Sequence, residues 1–198
     1  TIPPGPPFPE DLHLRKFCGI MWCYYGPKTE FDQAWAPIKA FCEEKPPIMD
    51  GTHWGTLSEL NAAFNELYPA GEQWYWKGDY FDSITDDVIG AHSRNIQDVP
   101  TWKCAMHLYP VNGACHNIPS SSTAWHDRSS NYSMVIVGVS PDPADFENIK
   151  SWAKKYWKDL TPHSSQTGSY VNWMMPDEDQ SRVKAAYGAN YERLVSLK

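Results

Sequence analysis

The sequence has neither an excess of positive charge nor a long apolar run. Its 17 Lys and Arg residues are outnumbered by 24 Asp and Glu, for a formal net charge of -7, whereas binding to a nucleic-acid backbone needs clustered cations. The stretch from Cys104 to His126 is uncharged when its histidines are neutral, but Pro, Asn, His and Ser interrupt it, unlike the roughly 20 apolar residues of a membrane span. We therefore expect a soluble protein that binds neither nucleic acid nor a membrane.

Cysteine pairs and a signal peptide are also missing. The five cysteines are an odd number without a CxxC pair, which favours reduced thiols in the cytoplasm over a secreted disulfide framework. The chain begins at Thr1 rather than Met, so we expect a processed or truncated product whose leader could have been lost. On this basis we predict a cytoplasmic location.

The common catalytic signatures are absent as well. The sequence contains no GxxxxGKS or GxxxxGKT, no GxGxxG after a strand, no HExxH and no GxSxG, which narrows the possible enzyme classes. His107, Cys115, His116 and His126 lie in one region but lack the i, i+4 or CxxC spacing typical of metal ligands, so we predict no metal site.

The sequence does contain enough hydrophobic residues for a core, 41%, and many aromatic rings, including ten Trp and eleven Tyr. Apolar runs bounded by turn residues predict strands, and apolar residues at helical spacing predict helices. The predicted strands cover residues 16–25, 72–81, 101–110, 113–118, 132–139 and 169–175. The predicted helices cover residues 30–44, 56–67, 84–96 and 142–160, with further helical turns from residue 183 onward.

This mixed order of elements predicts an α+β fold, with a sheet that carries helices on one face. The strand YSMVIVGV has no strongly polar face, so either helices cover both sides of the sheet or a partner domain covers one. We predict a Pro-rich linker or arm at residues 1–14, because proline fixes φ and removes donors, and one domain at residues 15–198. The aromatic rings either fill the core of that domain or wall a ligand pocket.

Two short segments carry polar groups suited to chemistry. Residues 125–128, WHDR, offer a base, a carboxylate and a cation, which suits a hydrolase or an anion pocket, or else a solvated loop with a local ion pair. The segment GSYVNW places Tyr170 and Asn172 on the same face of a predicted strand. Their phenol and amide can act as a base and a ligand-orienting group, although a structural hydrogen bond from Tyr170 is an alternative.

Several motifs, taken in order along the chain, resemble a known family. An Arg before an apolar strand, then DPAD, PHSS, YVNWMM and AAYGANYERLVSLK resemble the C-terminal, substrate-binding region of berberine-bridge-type FAD-linked oxidases. The upstream segments PPIMDGTHWGTL, QWYWKGDYFD and MHLYPVNGA resemble a bacterial branch of that family. The resemblance runs from about Phe17 to Lys198, and the ordered set is far more specific than any one motif.

The resemblance implies a large, mostly antiparallel sheet backed by helices, whose open face covers a flavin ring. It implies FAD as the cofactor, held mainly by a separate N-terminal FAD-binding domain that this chain lacks. The implied reaction is oxidation of an alcohol or amine-bearing carbon of a small-molecule substrate by hydride transfer to the flavin. The chain alone is then expected to hold no flavin and to be inactive, and its exposed sheet face could drive self-association.

The resemblance also implies roles for single residues. Tyr170 matches the active-site tyrosine of the family and is the predicted catalytic base, and Asn172 is predicted to face the flavin. Val135 stands where many members carry Gln or Glu inside a strand, which argues against a carboxylate base. Strand placement alone suggests further pocket walls. The predicted substrate-binding residues are Tyr75, Trp76, Tyr109 and Val135.

Two other functions remain open from the residues. A free-standing module could use the Trp and Tyr rings to bind a sugar or another flat ligand, and a hydrolase could use His126 and Asp127.

The family often has His directly before its Arg, whereas Asp127 precedes Arg128 here and His126 is displaced by one position. Arg128 is predicted to be a structural or domain-interface cation rather than a catalyst.

Overall fold

The computed structural model describes residues 1–198, which form two compact units. The first unit combines Thr1–Arg15 with Pro69–Lys198, and the second comprises Lys16–Tyr68. The sheet and the candidate site belong to the first unit. None of the helices has both the length and the apolar character needed to cross a membrane.

A three-stranded antiparallel sheet organises the first unit, with strand order β1-β3-β2. The strands are β1 (Gln73–Phe81), β2 (Ala105–Pro110) and β3 (Tyr132–Ser140). Val135 in the central strand pairs with Gly78 on one side and with His107 on the other, so these three positions share one face of the sheet. The predicted α+β fold, with an antiparallel sheet and helices, is confirmed.

Two helices cover the other face of the sheet, α3 (Asp86–Asn95) and α4 (Phe146–Leu160). The long helix α4 is preceded by Asp142, whose carboxylate accepts a hydrogen bond from the Ala144 amide at 2.9 Å. Burial of a large apolar side chain contributes roughly 1.5 to 3 kcal/mol, and one stripe of α4 is buried against β1 and β3. The buried residues of α4 are Ile149, Trp152, Ala153, Tyr156 and Leu160.

The C-terminal segment closes the free edge of β1. It contains α5 (Gln180–Tyr187) and α6 (Tyr191–Leu197). Arg182 in α5 donates a 2.9 Å hydrogen bond from Nη2 to the carbonyl of Gly78. An exposed strand edge favours unwanted pairing with other chains, so this cation covers a vulnerable part of the sheet.

A buried network of charges reinforces the same attachment. Glu178 accepts hydrogen bonds from Lys77 at 2.6 Å and from Arg182 Nε at 2.7 Å. Arg182 also lies 3.6 Å from Asp79, which is fully buried. Charges are buried in proteins when they are paired, and here the pairs join β1 to Glu178 and Arg182 of the C-terminal segment.

The second unit contains α1 (Phe31–Glu44) and α2 (Leu57–Ala62). The predicted capping box is present: Thr56 Oγ1 accepts from the Glu59 amide at 3.2 Å, and Glu59 accepts from the Thr56 amide at 2.7 Å. The helix is shorter than predicted because residues after Ala62 form turns. The side chain of Phe31 lies in an aromatic cluster with those of Tyr24, Trp35 and Trp54.

Three of the predicted strands are not strands. The apolar run at residues 16–25 has no regular secondary structure, and its side chains are mostly exposed. Gly113–Asn117 and Val171–Trp173 are 3-10 turns. Apolar sequence favours a strand only where a neighbouring strand satisfies its backbone, and none of these segments pairs with the sheet.

The N-terminal residues, which were predicted to form a linker or an arm, are packed. Ile2 is buried, its amide donates to the Arg15 carbonyl at 2.9 Å, and the Leu14 amide donates to the Ile2 carbonyl at 2.9 Å. Thr1 Oγ1 donates to the carbonyl of Trp102 at 2.6 Å. The prolines of this segment do not prevent packing, because the amides that donate these hydrogen bonds belong to Ile2 and Leu14.

Candidate functional site

The sheet face opposite α4 carries an open groove of about 350 Å³. Alternation along the strands directs one set of side chains into it, and the turn at Val171–Trp173 supplies one wall. None of its lining residues is Lys, Arg, Asp or Glu. The lining residues are Trp74, Trp76, His107, Tyr109, Val135, Val137, Tyr170, Asn172 and Trp173.

Tyr170 and Asn172 are neighbours in space at this groove. The Asn172 amide donates a 2.8 Å hydrogen bond to the phenol oxygen of Tyr170. They come together through the 3-10 turn, in which the Trp173 amide donates to the Tyr170 carbonyl at 2.9 Å, and not through strand alternation. Because Tyr170 accepts from Asn172, its own hydroxyl hydrogen remains available to a ligand.

Trp173 is a groove residue that the sequence reasoning missed. Its ring lies 5.2 Å from that of Tyr109 and 5.4 Å from that of Tyr170, measured between centroids. Strand alternation would have placed Trp173 on the face opposite Tyr170, so the incorrect strand prediction hid it. Aromatic pairs at such distances stabilise each other's orientation, and Trp173 therefore joins the β2 side of the groove to Tyr170.

A second layer of aromatic residues supports Tyr170 from behind. The ring centroid of Trp125 lies 5.8 Å from that of Tyr170, and Trp125 Nε1 donates a 2.8 Å hydrogen bond to the hydroxyl of Tyr80. Burial raises the pKa of Tyr80, so this phenol stays neutral. Arg128 lies 4.8 Å from the Trp125 ring centroid, which gives it a contact with this layer and not with the groove.

A smaller cavity of about 140 Å³ lies beside the groove. Tyr170 lines both spaces. The walls of the smaller cavity are almost entirely apolar. Ser169, which is 1% exposed, contributes a buried hydroxyl without a hydrogen-bond partner. The other lining residues are Ala124, Trp125, Val171, Ala186 and Tyr187.

The structure places three of the four predicted substrate-binding residues at the groove. Val135 is a buried part of its floor, and Trp76 and Tyr109 lie on the strands at either side. The hydroxyl of Tyr109 lies 3.0 Å from His107 Nδ1. No carboxylate lines the groove, in keeping with the presence of Val135 where a carboxylate or amide was considered.

The prediction that Tyr75 forms a wall of the same pocket is wrong. Consecutive strand residues point to opposite faces, so Tyr75 lies beneath α4 while Trp76 faces the groove. The Tyr75 side chain is 1% exposed and its hydroxyl donates to the Asp177 carboxylate at 3.1 Å. Burial and this carboxylate raise the pKa of Tyr75, which suits a structural phenol.

The residues proposed for a hydrolase do not form a catalytic pair. Asp127 accepts from the Ser129 and Ser130 amides at 2.9 and 3.0 Å, from Ser130 Oγ at 2.7 Å, and from the Thr167 hydroxyl. Burial alone would raise the pKa of Asp127, but the hydrogen bonds from Thr167 and Ser130 outweigh it and lower the pKa. His126 lies against Gly188 instead. Asp127 is thus a loop-organising carboxylate.

The residues around Tyr170 match a family model described as berberine and berberine like, which covers residues 169–198. The C-terminal segment is berberine-like. It includes Tyr170, Asn172 and Trp173, and the predicted resemblance to the berberine-like family is confirmed for this segment. The bacterial branch stays a prediction. No curated protein matches the sequence.

Solved oxidoreductase structures share the fold of this chain. BBE-like 1 of Physcomitrella patens matches 86% of the chain with a TM-score of 0.63 and 18% identity. A berberine bridge enzyme variant matches 87% of the chain with a TM-score of 0.62 and 17% identity. Aclacinomycin oxidoreductase matches 84% of the chain with a TM-score of 0.61 and 18% identity. The chain spans 39%, 41% and 38% of the lengths of these structures, respectively.

Proposed function

We propose that the chain is the substrate-binding part of an FAD-dependent oxidoreductase that oxidises an alcohol or amine-bearing carbon of a small molecule. The observation that carries the proposal is the groove, where Tyr170 and Asn172 of the berberine-like segment meet an uncharged aromatic surface. Ligand sites are typically apolar clefts with a few converging polar groups. The groove has this composition.

The groove residues fit the ring system of a flavin and not its diphosphate. The lining is aromatic and apolar, with one carboxamide and one phenol, and contains no Lys or Arg. A diphosphate needs cations or a glycine-rich loop at a helix N-terminus. Asn172 would contact the flavin ring or fix the pocket beside it, and the remainder of the FAD would be held by a separate N-terminal FAD-binding domain.

The chemistry that FAD would supply when bound is acceptance of the hydride from the substrate carbon. In its phenolate form, Tyr170 accepts the proton of the substrate hydroxyl at its phenol oxygen, as a general base within hydrogen-bond reach. Asn172 donates its N–H to the same oxygen and so holds the phenol in position for this proton transfer. The rings of Trp76, Tyr109 and Trp173 orient a flat substrate and exclude water, which strengthens these polar interactions.

A second function is favoured by the same aromatic rings. Trp74, Trp76, Tyr109 and Trp173 all line one groove, and such rings provide stacking surfaces for a sugar or another flat ligand. A binding module would need neither the phenol of Tyr170 nor a flavin. The two functions therefore differ in whether the natural protein contains a flavin and in whether the phenol of Tyr170 takes part in a reaction.

The visible spectrum of the full-length natural protein tests the proposal. We expect flavin absorption bands, and substrate should bleach them as the flavin is reduced. The Tyr170→Phe variant should keep the flavin but slow its reduction by about 100-fold or more, the usual loss when a general base is removed. Tyr25→Phe, which removes an equivalent hydroxyl at an exposed position, is the matched control.

Two results would contradict the proposal. A full-length protein that lacks flavin yet binds sugars or flat ligands at the groove would establish the binding module instead. A flavoprotein in which Tyr170→Phe reduces its flavin as fast as the wild type would retain the oxidoreductase assignment but remove Tyr170 as the base.

A further inference from the structure

Gly78 lies in the middle of β1, on the groove face of the sheet. Its φ is not in the positive range that favours glycine, so its backbone conformation does not require this residue. Glycine inside a strand weakens it and often marks a place where another segment approaches closely. The atoms that pack against Gly78 therefore explain why this position carries no side chain.

The segment that carries Tyr170 packs directly on Gly78. A Cβ atom at position 78 would lie 2.3 Å from Ser169 Oγ, 3.0 Å from Trp173 Cβ and 3.1 Å from the Met134 carbonyl oxygen. Contacts of 3.4–4 Å are ordinary for such an atom. The Ser169 side chain is 1% exposed. Even with its hydroxyl rotated into the cavity that it lines, Trp173 Cβ and the Met134 carbonyl oxygen stay closer than ordinary contacts, so one methyl group requires a movement.

The strand itself is held in place on both sides. Gly78 pairs with Val135 of the central strand, and its carbonyl accepts the 2.9 Å hydrogen bond from Arg182. Arg182 is in turn paired with Glu178 at 2.7 Å. Crowding at position 78 would therefore be relieved by displacement of residues 169–173 rather than by retreat of β1.

Displacement of this segment would move the proposed catalytic group. Ser169 directly precedes Tyr170, and Trp173 contacts the rings of both Tyr170 and Tyr109. We propose that Gly78 is a positioning residue: the missing side chain lets Ser169 and Trp173 lie on the sheet, and this contact sets the place of Tyr170 in the groove. The catalytic consequence rests on the proposed function, whereas the positioning of Tyr170 does not.

The test compares Gly78→Ala with Gly138→Ala in the full-length protein. Gly138 is also a strand glycine, but a Cβ atom there would lie 2.9 Å from Ile149 Cβ, under α4. Both variants should lower the Tm. Only Gly78→Ala should shift the fluorine NMR resonance of 3-fluorotyrosine incorporated at position 170. Only Gly78→Ala should slow substrate-dependent flavin reduction, by about tenfold to 100-fold, as expected when a reacting group is misplaced by about 1 Å.

A second variant provides a rescue. Ser169→Ala removes the oxygen that a methyl group at position 78 would meet, so the double variant Gly78→Ala/Ser169→Ala should recover most of the wild-type resonance and rate. An unchanged resonance in Gly78→Ala overturns the proposal. A shifted resonance that the double variant does not restore also overturns the proposal. Failure of both Gly78→Ala and the double variant to fold overturns it as well. A protein without flavin would refute the proposed function, while the resonance would still decide the positioning.

Discussion

Tyr75 and Trp76 are adjacent in the chain, yet their side chains lie on opposite faces of the sheet. Tyr75 donates to Asp177 beneath α4, and Trp76 lines the groove. The strand alternation that separates them also separates their surroundings: Tyr75 packs in the core and Trp76 faces the groove.

Removal of the Tyr75 hydroxyl should affect stability alone. The hydroxyl makes a partly buried hydrogen bond to the Asp177 carboxylate, and loss of such a bond costs about 1 kcal/mol. We expect Tyr75→Phe to lower the free energy of unfolding by this amount, measured by urea denaturation, with no change in substrate KM. Trp76→Leu should raise KM instead. A raised KM in Tyr75→Phe would return Tyr75 to the site.

Removal of the Asn172 amide should affect activity alone. Asn172 is exposed, so Asn172→Ala should change the free energy of unfolding by less than about 0.5 kcal/mol. Loss of its hydrogen bond to Tyr170 should slow flavin reduction by roughly tenfold, the equivalent of about 1.4 kcal/mol. Stopped-flow absorbance measures this rate, and Asn117→Ala, at an exposed turn, is the control. Equal rates in the two variants would show that the hydrogen bond plays no part in the reaction.

Removal of the Glu178 carboxylate should strongly destabilise the protein. Lys77 and Glu178 have side chains only 5% and 4% exposed, and breaking a buried ion pair from one side costs about 3 to 5 kcal/mol because a charge is left unpaired. Glu178→Ala should therefore lower the Tm markedly, as seen by calorimetry. Glu147→Ala, which breaks a 3.9 Å pair with Lys150 on the surface, should have almost no effect. Similar Tm values for both would contradict the importance of the buried network.

Because of His92, the free energy of unfolding should decrease as the pH falls from 6.5 to about 4. Burial lowers the pKa of His92 from 6.5 to about 4, and the Tyr156 hydroxyl lies 2.7 Å from its Nδ1. Below pH 6.5 the unfolded chain takes up a proton on this ring while the folded chain does not, until the pH reaches about 4. The free energy of unfolding should therefore decrease across this range and change no further below it as far as His92 is concerned.

The expected contribution of His92 is roughly 2 kcal/mol, less than the full shift implies because the ring is only partly buried. Chemical denaturation at a series of pH values measures it. His92→Gln should flatten this part of the profile, whereas His163→Gln, at an exposed position, should leave it unchanged. The assignment to His92 would fail if both variants kept the wild-type slope.

Where the local pattern was strong, the sequence was sufficient to predict structure. The strands β1 and β3 and the helix α4 lie close to their predicted bounds, because alternation, helical spacing and the cap at Asp142 all act within a few residues. The resemblance at residues 169–198 likewise singled out Tyr170 and Asn172, and both line the groove. Their proximity was predicted through a strand that does not exist, although the short spacing alone kept them together.

Only the tertiary structure decided which residues share the groove. Trp173 enters it through a 3-10 turn, Tyr75 leaves it for the core, and Gly78 receives a segment far along the chain. These outcomes depend on contacts between residues distant in sequence, which no local pattern encodes. The sequence by itself determined the resemblance of residues 169–198 to the berberine-like family and most of the main elements. Long-range packing on one face of the sheet determined the site.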